Sequence, residues 1–231
     1  MSSRSDLALL FDVDNTLLDN DAVEHDYHAH LEREAGPEAA RLYWAEFEGL
    51  RRELGYADYL GALQRYRRGH LHDPRLLLVA SFLLDYPFAG RLYPRALDVL
   101  AASARMGVTA VLSDGDVVFQ PRKIERSGIG AAVDGRVLVY IHKERELADV
   151  ERFYPAEHYV LVDDKLRILA AVKEIWGPRV TTVLVRQGHY AHDPAILSAC
   201  PPADLAIGAI ADLLTHDTRV LRDAATGPAQ R

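Results

Sequence analysis

The sequence predicts an α/β fold, a doubly wound and mostly parallel sheet carrying an inserted α-helical domain. Three observations carry this expectation. Short apolar runs recur along the chain, helical periods lie between the later ones, and the first gap is long and holds no convincing strand. The runs are Leu7–Phe11, Val108–Leu112, Val137–Ile141, Tyr159–Val162 and Val180–Val185, with a shorter sixth at Leu205–Ile207. Their near-continuous apolarity, rich in Val and Leu, is what strands covered on both faces require. Strands alternating with helices imply crossover connections and hence parallel pairing.

The elements follow in order. After the first run come helical patterns at Val23, Tyr27 and Leu31, then at Ala40, Trp44, Phe47 and Leu54, then at Tyr56, Tyr59, Leu60 and Leu63. The nearly all-apolar stretch Leu76–Leu84 reads as a buried helix. Turn signals at Gly36-Pro37, Gly55, Gly69 and Asp73-Pro74 separate these segments. The expected organisation is a helical cap domain over residues 18–87 with its own small core, and an α/β core domain from 1–17 and 88–231. Pro94 opens a helix carrying Leu97, Leu100, Ala101 and Ala104 that returns the chain to the sheet. Leu147, Val150 and Tyr154 share one helix face, as do Leu169, Val172 and Trp176. A last helix is expected around Ile210, Leu213 and Leu214, and a frayed tail from Asp223 onward.

Composition narrows the function classes. The chain has 231 residues, 49% hydrophobic and 26% charged, which are globular proportions. With 27 Lys and Arg against 34 Asp and Glu, the net charge of −7 offers no footprint for nucleic acid or an anionic membrane. The lone Cys200 excludes an intrachain disulfide and a cysteine zinc site, and no companion base is near it in sequence. No stretch approaches the length of a membrane span, and the polar start is unlike a signal peptide. A reducing cytoplasmic setting is expected. Oligomeric state is not legible.

In an open parallel sheet, ligands bind beyond the carboxyl ends of the strands. The first run ends in Asp12-Val13-Asp14-Asn15-Thr16, the second in Ser113-Asp114-Gly115-Asp116, and the fourth in Asp163-Asp164, while Lys143 follows the third. Clustered carboxylates repel one another unless a cation neutralises them. Oxygen donors without His or Cys suit Mg²⁺. A carboxylate can also be a nucleophile. A lysine, a serine hydroxyl and the amides of Asp114 and Gly115 can donate to phosphoryl oxygens.

Taken together, Asp12–Thr16, Ser113, Lys143 and Asp163-Asp164 resemble, in this order, the four motifs of the haloacid dehalogenase-like hydrolase superfamily. The resemblance covers residues 7–214, and the helical insert is similar to the cap subclass inserted after the first motif. It implies an aspartate-nucleophile phosphatase acting on a small phosphorylated metabolite with Mg²⁺. Asp12 would attack phosphorus, and Asp14 would protonate the leaving oxygen and then activate water. Thr16 would orient that loop. Ser113, Asp114, Gly115 and Lys143 would hold the substrate phosphate. Asp12, the backbone carbonyl of Asp14, and Asp164 would bind the metal, with Asp163 a ligand or one water away. A phosphomutase would use the same aspartyl-phosphate. The dehalogenase branch carries a tyrosine where this chain has Asp14 and works without metal, so a 2-haloacid dehalogenase ranks below both. A non-catalytic binding protein of the same fold is the remaining alternative.

Acids at strand ends also serve as turn and helix caps. Lys123, inside a helix with Ile124, is expected to face solvent or play a structural part, leaving Lys143 the third motif. His25, His28 and His30 are expected on a solvated face, and Arg65, Arg67, Arg68 and His70 at a helix C-terminus. The segment Arg186–Tyr190 either rims the site or is loop. Tyr43, Trp44, Phe47 and Tyr59 are expected in the core.

Overall fold

A computed structural model describes residues 5–225. Six strands, β1 (Ser5–Phe11), β2 (Val108–Asp114), β3 (Val137–Tyr140), β4 (Ala156–Asp163), β5 (Val180–Val185) and β6 (Leu205–Ile207), form one sheet in the order β3-β2-β1-β4-β5-β6. Every pairing is parallel. Leu10 aligns with Ala110 on one side and Leu161 on the other, so β1 is central. Side chains alternate across it. Leu7, Leu9 and Phe11 enter one core layer, and Ala8 and Leu10 enter the other. The second layer is closed by α8 (Leu147–Phe153) and α9 (Leu166–Trp176), where Trp176 stacks on Tyr159 at 4.2 Å.

The long first gap folds as α1 (Asn20–Ala35), α2 (Pro37–Leu54), α3 (Tyr59–Arg68) and α4 (Arg75–Asp85). Asp19 caps α1 by accepting from the Ala22 amide at 2.9 Å, and Asp58 caps α3 through the Gly61 amide at 2.6 Å. These helices close on an aromatic cluster. Tyr27 meets Tyr43 edge-on at 5.4 Å, and Phe47 stacks on Tyr59 at 4.7 Å.

Three expectations require correction. The helical segment has no separate core. Its apolar interior is continuous with one face of the sheet, joined where Tyr59 and Phe88 meet Phe119 at 5.1 and 5.8 Å. Second, α4 is not buried all round. It packs on α1 and α3 along one side, burying Val79 and Leu83, while Leu77 is 72% exposed. Apolar composition alone does not say how many neighbours a helix has. Third, the returning helix α5 (Ala96–Ser103) buries Ala96, Val99 and Leu100 and leaves Leu97 exposed. Both its faces are apolar, so the pattern left its phase open and packing chose the face with Val99.

The remaining helices are α6 (Phe119–Ser127), the single turn α7 (Ile129–Ala132), α10 (Pro194–Ala199) and α11 (Thr218–Ala224); Ile210–Thr215 is 3₁₀. Asp223 and Ala224 thus belong to a helix, whereas 226–231 lie outside the described residues. Among the described residues no helix is long and apolar enough to cross a membrane.

Candidate active site

The strand order reverses at β1, and the crevice at such a switch point is where doubly wound sheets bind ligands. The carboxyl end of β1 delivers Asp12, which is buried. Its Oδ1 lies 2.5 Å from Lys143 Nζ, and its Oδ2 accepts a long hydrogen bond from Thr16 Oγ1 at 3.5 Å. Lys143 sits in a single 3₁₀ turn after β3, its backbone amide donating to Asp114 Oδ1 at 2.7 Å. Its ammonium is wholly buried, reaching Asp163 Oδ2 at 2.6 Å and the Leu112 carbonyl at 3.2 Å. Burial alone would lower its pKa, but the Asp12, Asp163 and Asp114 carboxylates outweigh that and hold it protonated.

One carboxylate oxygen from each of Asp12, Asp163 and Asp164 lies within 4.8 Å of the others, and all three side chains are buried. Asp163 is engaged on both oxygens, by Lys143 and, at 2.8 Å, by the Lys165 amide. Neither oxygen of Asp164 has a hydrogen-bond partner. Burial pushes the Asp164 carboxyl well above its ordinary range. Lys143 pairs directly with Asp12 and Asp163, and Lys165 acts on the cluster only at longer range, so Asp164 is left without a direct partner for its charge, which is costly away from water. An all-oxygen set with two unpartnered atoms fits a hard divalent cation.

Asp14 is also at this edge but faces a different partner. Lys123 Nζ on α6 donates to Asp14 Oδ1 at 2.6 Å and to Asn20 Oδ1 at 2.8 Å. Lys123 is therefore buried and not solvent-facing. Gln120, one turn earlier, donates from Nε2 to Ser113 Oγ at 2.9 Å and, more weakly, to Asp14 Oδ2 at 3.4 Å. The spacing of Gln120 and Lys123 puts both on one helix face, a signal that sequence reasoning passed over. The cap of α6 falls to Asp116, whose Oδ1 accepts from the amides of Val118 and Phe119, so Ser113 and Asp114 are free of that duty. The Gly115 amide, expected to face phosphate, instead donates to the Tyr140 carbonyl at 2.9 Å. A Cβ at Gly115 would lie 2.7 Å from that of Gln120, so the close approach this glycine permits is to a side chain.

Asp14, Asp114 and Gly115 open onto a cavity of about 500 Å³ shared with α2 and α3, a size suited to a small metabolite. Phe47 and Tyr59 serve both core and cavity wall. The loop after β5 reaches the same cavity through His189 and Tyr190. Gly188 holds it there at φ +67°, where a Cβ would lie 2.4 Å from the Asn15 side chain. By contrast Arg65 pairs with Glu53 on the surface, and His28 and His30 stack on Trp44 and Phe82.

The sequence pattern of haloacid dehalogenase-like hydrolases matches residues 7–175. The chain belongs to this family. A structure described as a haloacid dehalogenase-like hydrolase, from Burkholderia xenovorans LB400, is 60% identical with a TM-score of 0.89, covering 92% of this chain and 99% of that one. The fold is shared with L-2-haloacid dehalogenase of Xanthobacter autotrophicus, at 20% identity and TM-score 0.61 over 90% and 96% of the two chains. It is also shared with a magnesium-bound HAD hydrolase of Bacillus subtilis, at 17% identity and TM-score 0.60 over 92% and 98%. No curated protein matches the sequence.

Proposed function

We propose that this hydrolase is a Mg²⁺-dependent phosphatase acting on a small phosphorylated metabolite. Asp14 carries the reading. An alkoxide is a poor leaving group and needs a proton, whereas a halide does not, so an acid beside the nucleophile serves ester cleavage and has no task in dehalogenation. Lys123, itself held by Asn20, fixes that acid at the cavity wall.

Asp12 attacks phosphorus through the oxygen that Lys143 does not hold, and the P–O bond to the leaving group breaks. Asp14 gives its proton to the departing oxygen. It then takes a proton from the water that hydrolyses the aspartyl-phosphate, releasing inorganic phosphate and restoring both carboxyl groups. Lys143 and Ser113 offset charge on the transferred group, while Asp163 positions Lys143. Asp12, Asp164 and the Asp14 carbonyl would hold Mg²⁺, which neutralises the carboxylates and the phosphoryl oxygens when bound. Residues 18–87 act as a cap, excluding water and selecting the substrate.

The test is a panel of phosphorylated metabolites assayed with Mg²⁺ and with chelator, alongside chloride release from 2-chloropropionate. Metal-dependent phosphate release supports the reading. Halide release without phosphatase activity overturns it, and conversion to an isomeric phosphate would assign a mutase.

A further inference from the structure

The roof of the cavity carries a charge pattern that phosphoryl transfer at Asp12 does not use. Two cations from different parts of the fold lie near the Tyr190 ring. Lys165, directly after Asp164, places its ammonium 5.3 Å from the ring centroid, and Arg51 of α2 lies 5.8 Å from the same centroid. Arg51 also donates to the Tyr190 hydroxyl. Arg167 and Arg52 complete this wall.

Few of these charges are spoken for. Arg51 has a loose pair with Glu48 at 3.4 Å, and its side chain is 34% exposed. Among the described residues, Arg52 and Arg167 have no carboxylate within ion-pair distance, whereas Lys165 makes no such pair but faces the Asp12, Asp164 and Asp163 carboxylates at longer range, which keep its ammonium charged. Of the other acids lining the cavity, Glu24 accepts from the Tyr59 hydroxyl at 3.1 Å, Asp14 from Lys123 and Asp114 from the Lys143 amide. Like charges gathered around one ring repel one another unless an anion lies between them. Arg51 comes from α2, and Lys165 and Arg167 from the start of α9 just after β4, so an anion here would bridge the helical insert and the α/β core. It would share the cavity with the reacting end, where Asp14 lies.

We propose that Arg51, Lys165 and Arg167 form a second anion subsite, so that the preferred substrate is a small phosphate monoester carrying another anionic group. That group is a carboxylate or a second phosphate. The inference rests on the phosphatase reading for its catalytic end only. Binding of the remote anion also draws α2 towards the sheet edge, coupling substrate choice to closure of the cavity.

A homologous series separates the possibilities. Propyl phosphate, 3-(phosphonooxy)propanoate and propane-1,3-diyl bisphosphate differ only in the remote group. The expected result is a kcat/KM for at least one doubly anionic ester about tenfold or more above propyl phosphate, the gain of a charge-assisted contact. Which of the two wins identifies the anion. Arg51→Gln and Arg167→Gln should each collapse that preference, mainly through KM, and Arg51→Lys should restore part of it. Thermal melting of each variant checks its folding. A parallel calorimetric titration needs no turnover, because the C–P bond resists hydrolysis. 3-Phosphonopropanoate should bind more tightly than propylphosphonate to the native enzyme, and the difference should vanish in Arg51→Gln. Equal binding and equal kcat/KM across the series overturns the subsite even if phosphatase activity is present. Selective binding of 3-phosphonopropanoate with no ester hydrolysed would instead retain the subsite and overturn the phosphatase reading.

Discussion

Lys123 Nζ lies 2.6 Å from Asp14 Oδ1 while almost wholly buried, and Asp14 keeps a quarter of its side-chain surface on the cavity side. The acid assigned to proton transfer is therefore anchored from behind by a cation on a different element. Two lysines serve two aspartates, Lys143 at Asp12 and Lys123 at Asp14.

The two lysines should fail differently. Lys143→Ala leaves Asp12 and Asp163 unneutralised and should nearly abolish phosphatase activity. Lys123→Met should lower kcat by about tenfold to a hundredfold, less than full loss of general acid–base help, because Asp14 stays but is no longer held. Steady-state rates on one substrate, with circular dichroism to check folding, give the ranking. A Lys123→Met enzyme as active as wild type would show that the contact is only structural.

The aspartates separate by leaving group. Asp12→Asn should yield no trapped phospho-enzyme, since an amide is a poor nucleophile. Asp14→Asn should slow alkyl phosphates by about 10²–10⁴-fold and an activated aryl phosphate much less, because the aryl oxide leaves without a proton. Acid-quenched labelling and paired rate measurements check both. Equal slowing of the two substrates would remove Asp14 from the acid role.

Metal binding should be visible without turnover. Mg²⁺ at a hundred times its Kd should stabilise the fold by about 2.7 kcal/mol, read as a rise in Tm that chelator reverses. Asp164→Asn should abolish most of that rise, because its two oxygens are the unpartnered ones. Asp163→Asn should chiefly disturb Lys143. A Tm indifferent to Mg²⁺ in the native protein would be falsifying for the metal site.

Acid stability should report on His158, far from the catalytic edge. Its Nε2 lies 2.9 Å from Thr181 Oγ1. Burial, then the nearby Arg222 and Lys173 charges, hold its pKa below the ordinary 6.5. The unfolded chain therefore binds a proton at a pH where the fold still refuses one. That contribution to stability is complete above pH 6.5 and is lost as pH falls towards the lower folded pKa. Melting curves between pH 7 and pH 5 should fall less steeply for His158→Gln. Superimposable pH profiles would contradict the assignment.

Much of the fold was readable from periodicity. Runs such as Leu7–Phe11 and Val180–Val185 are apolar throughout because a central parallel strand is covered on both faces, and local sequence records that burial. The acids of the site were readable too, because they fall directly after such runs. Other features were not local. The phase of α5 and the exposure of Leu77 depend on which neighbours a helix meets, which an apolar string does not encode. The Gly115 amide was lost to Tyr140 because β3 pairs alongside β2.

What the sequence by itself determined is the order of chemistry along the chain: two acids after the first strand, a serine and a lysine after the second and third, two acids after the fourth. The tertiary structure decided partners. It left Asp164 without donors while engaging Asp163, drew Lys123 out of water to Asp14 across more than a hundred residues of chain, and set Arg51 against Tyr190. The physical reason is range. Hydrophobic period and strand-end position are properties of neighbours in sequence, whereas ion pairing is settled by distances of a few ångströms that only the packed sheet and helices create.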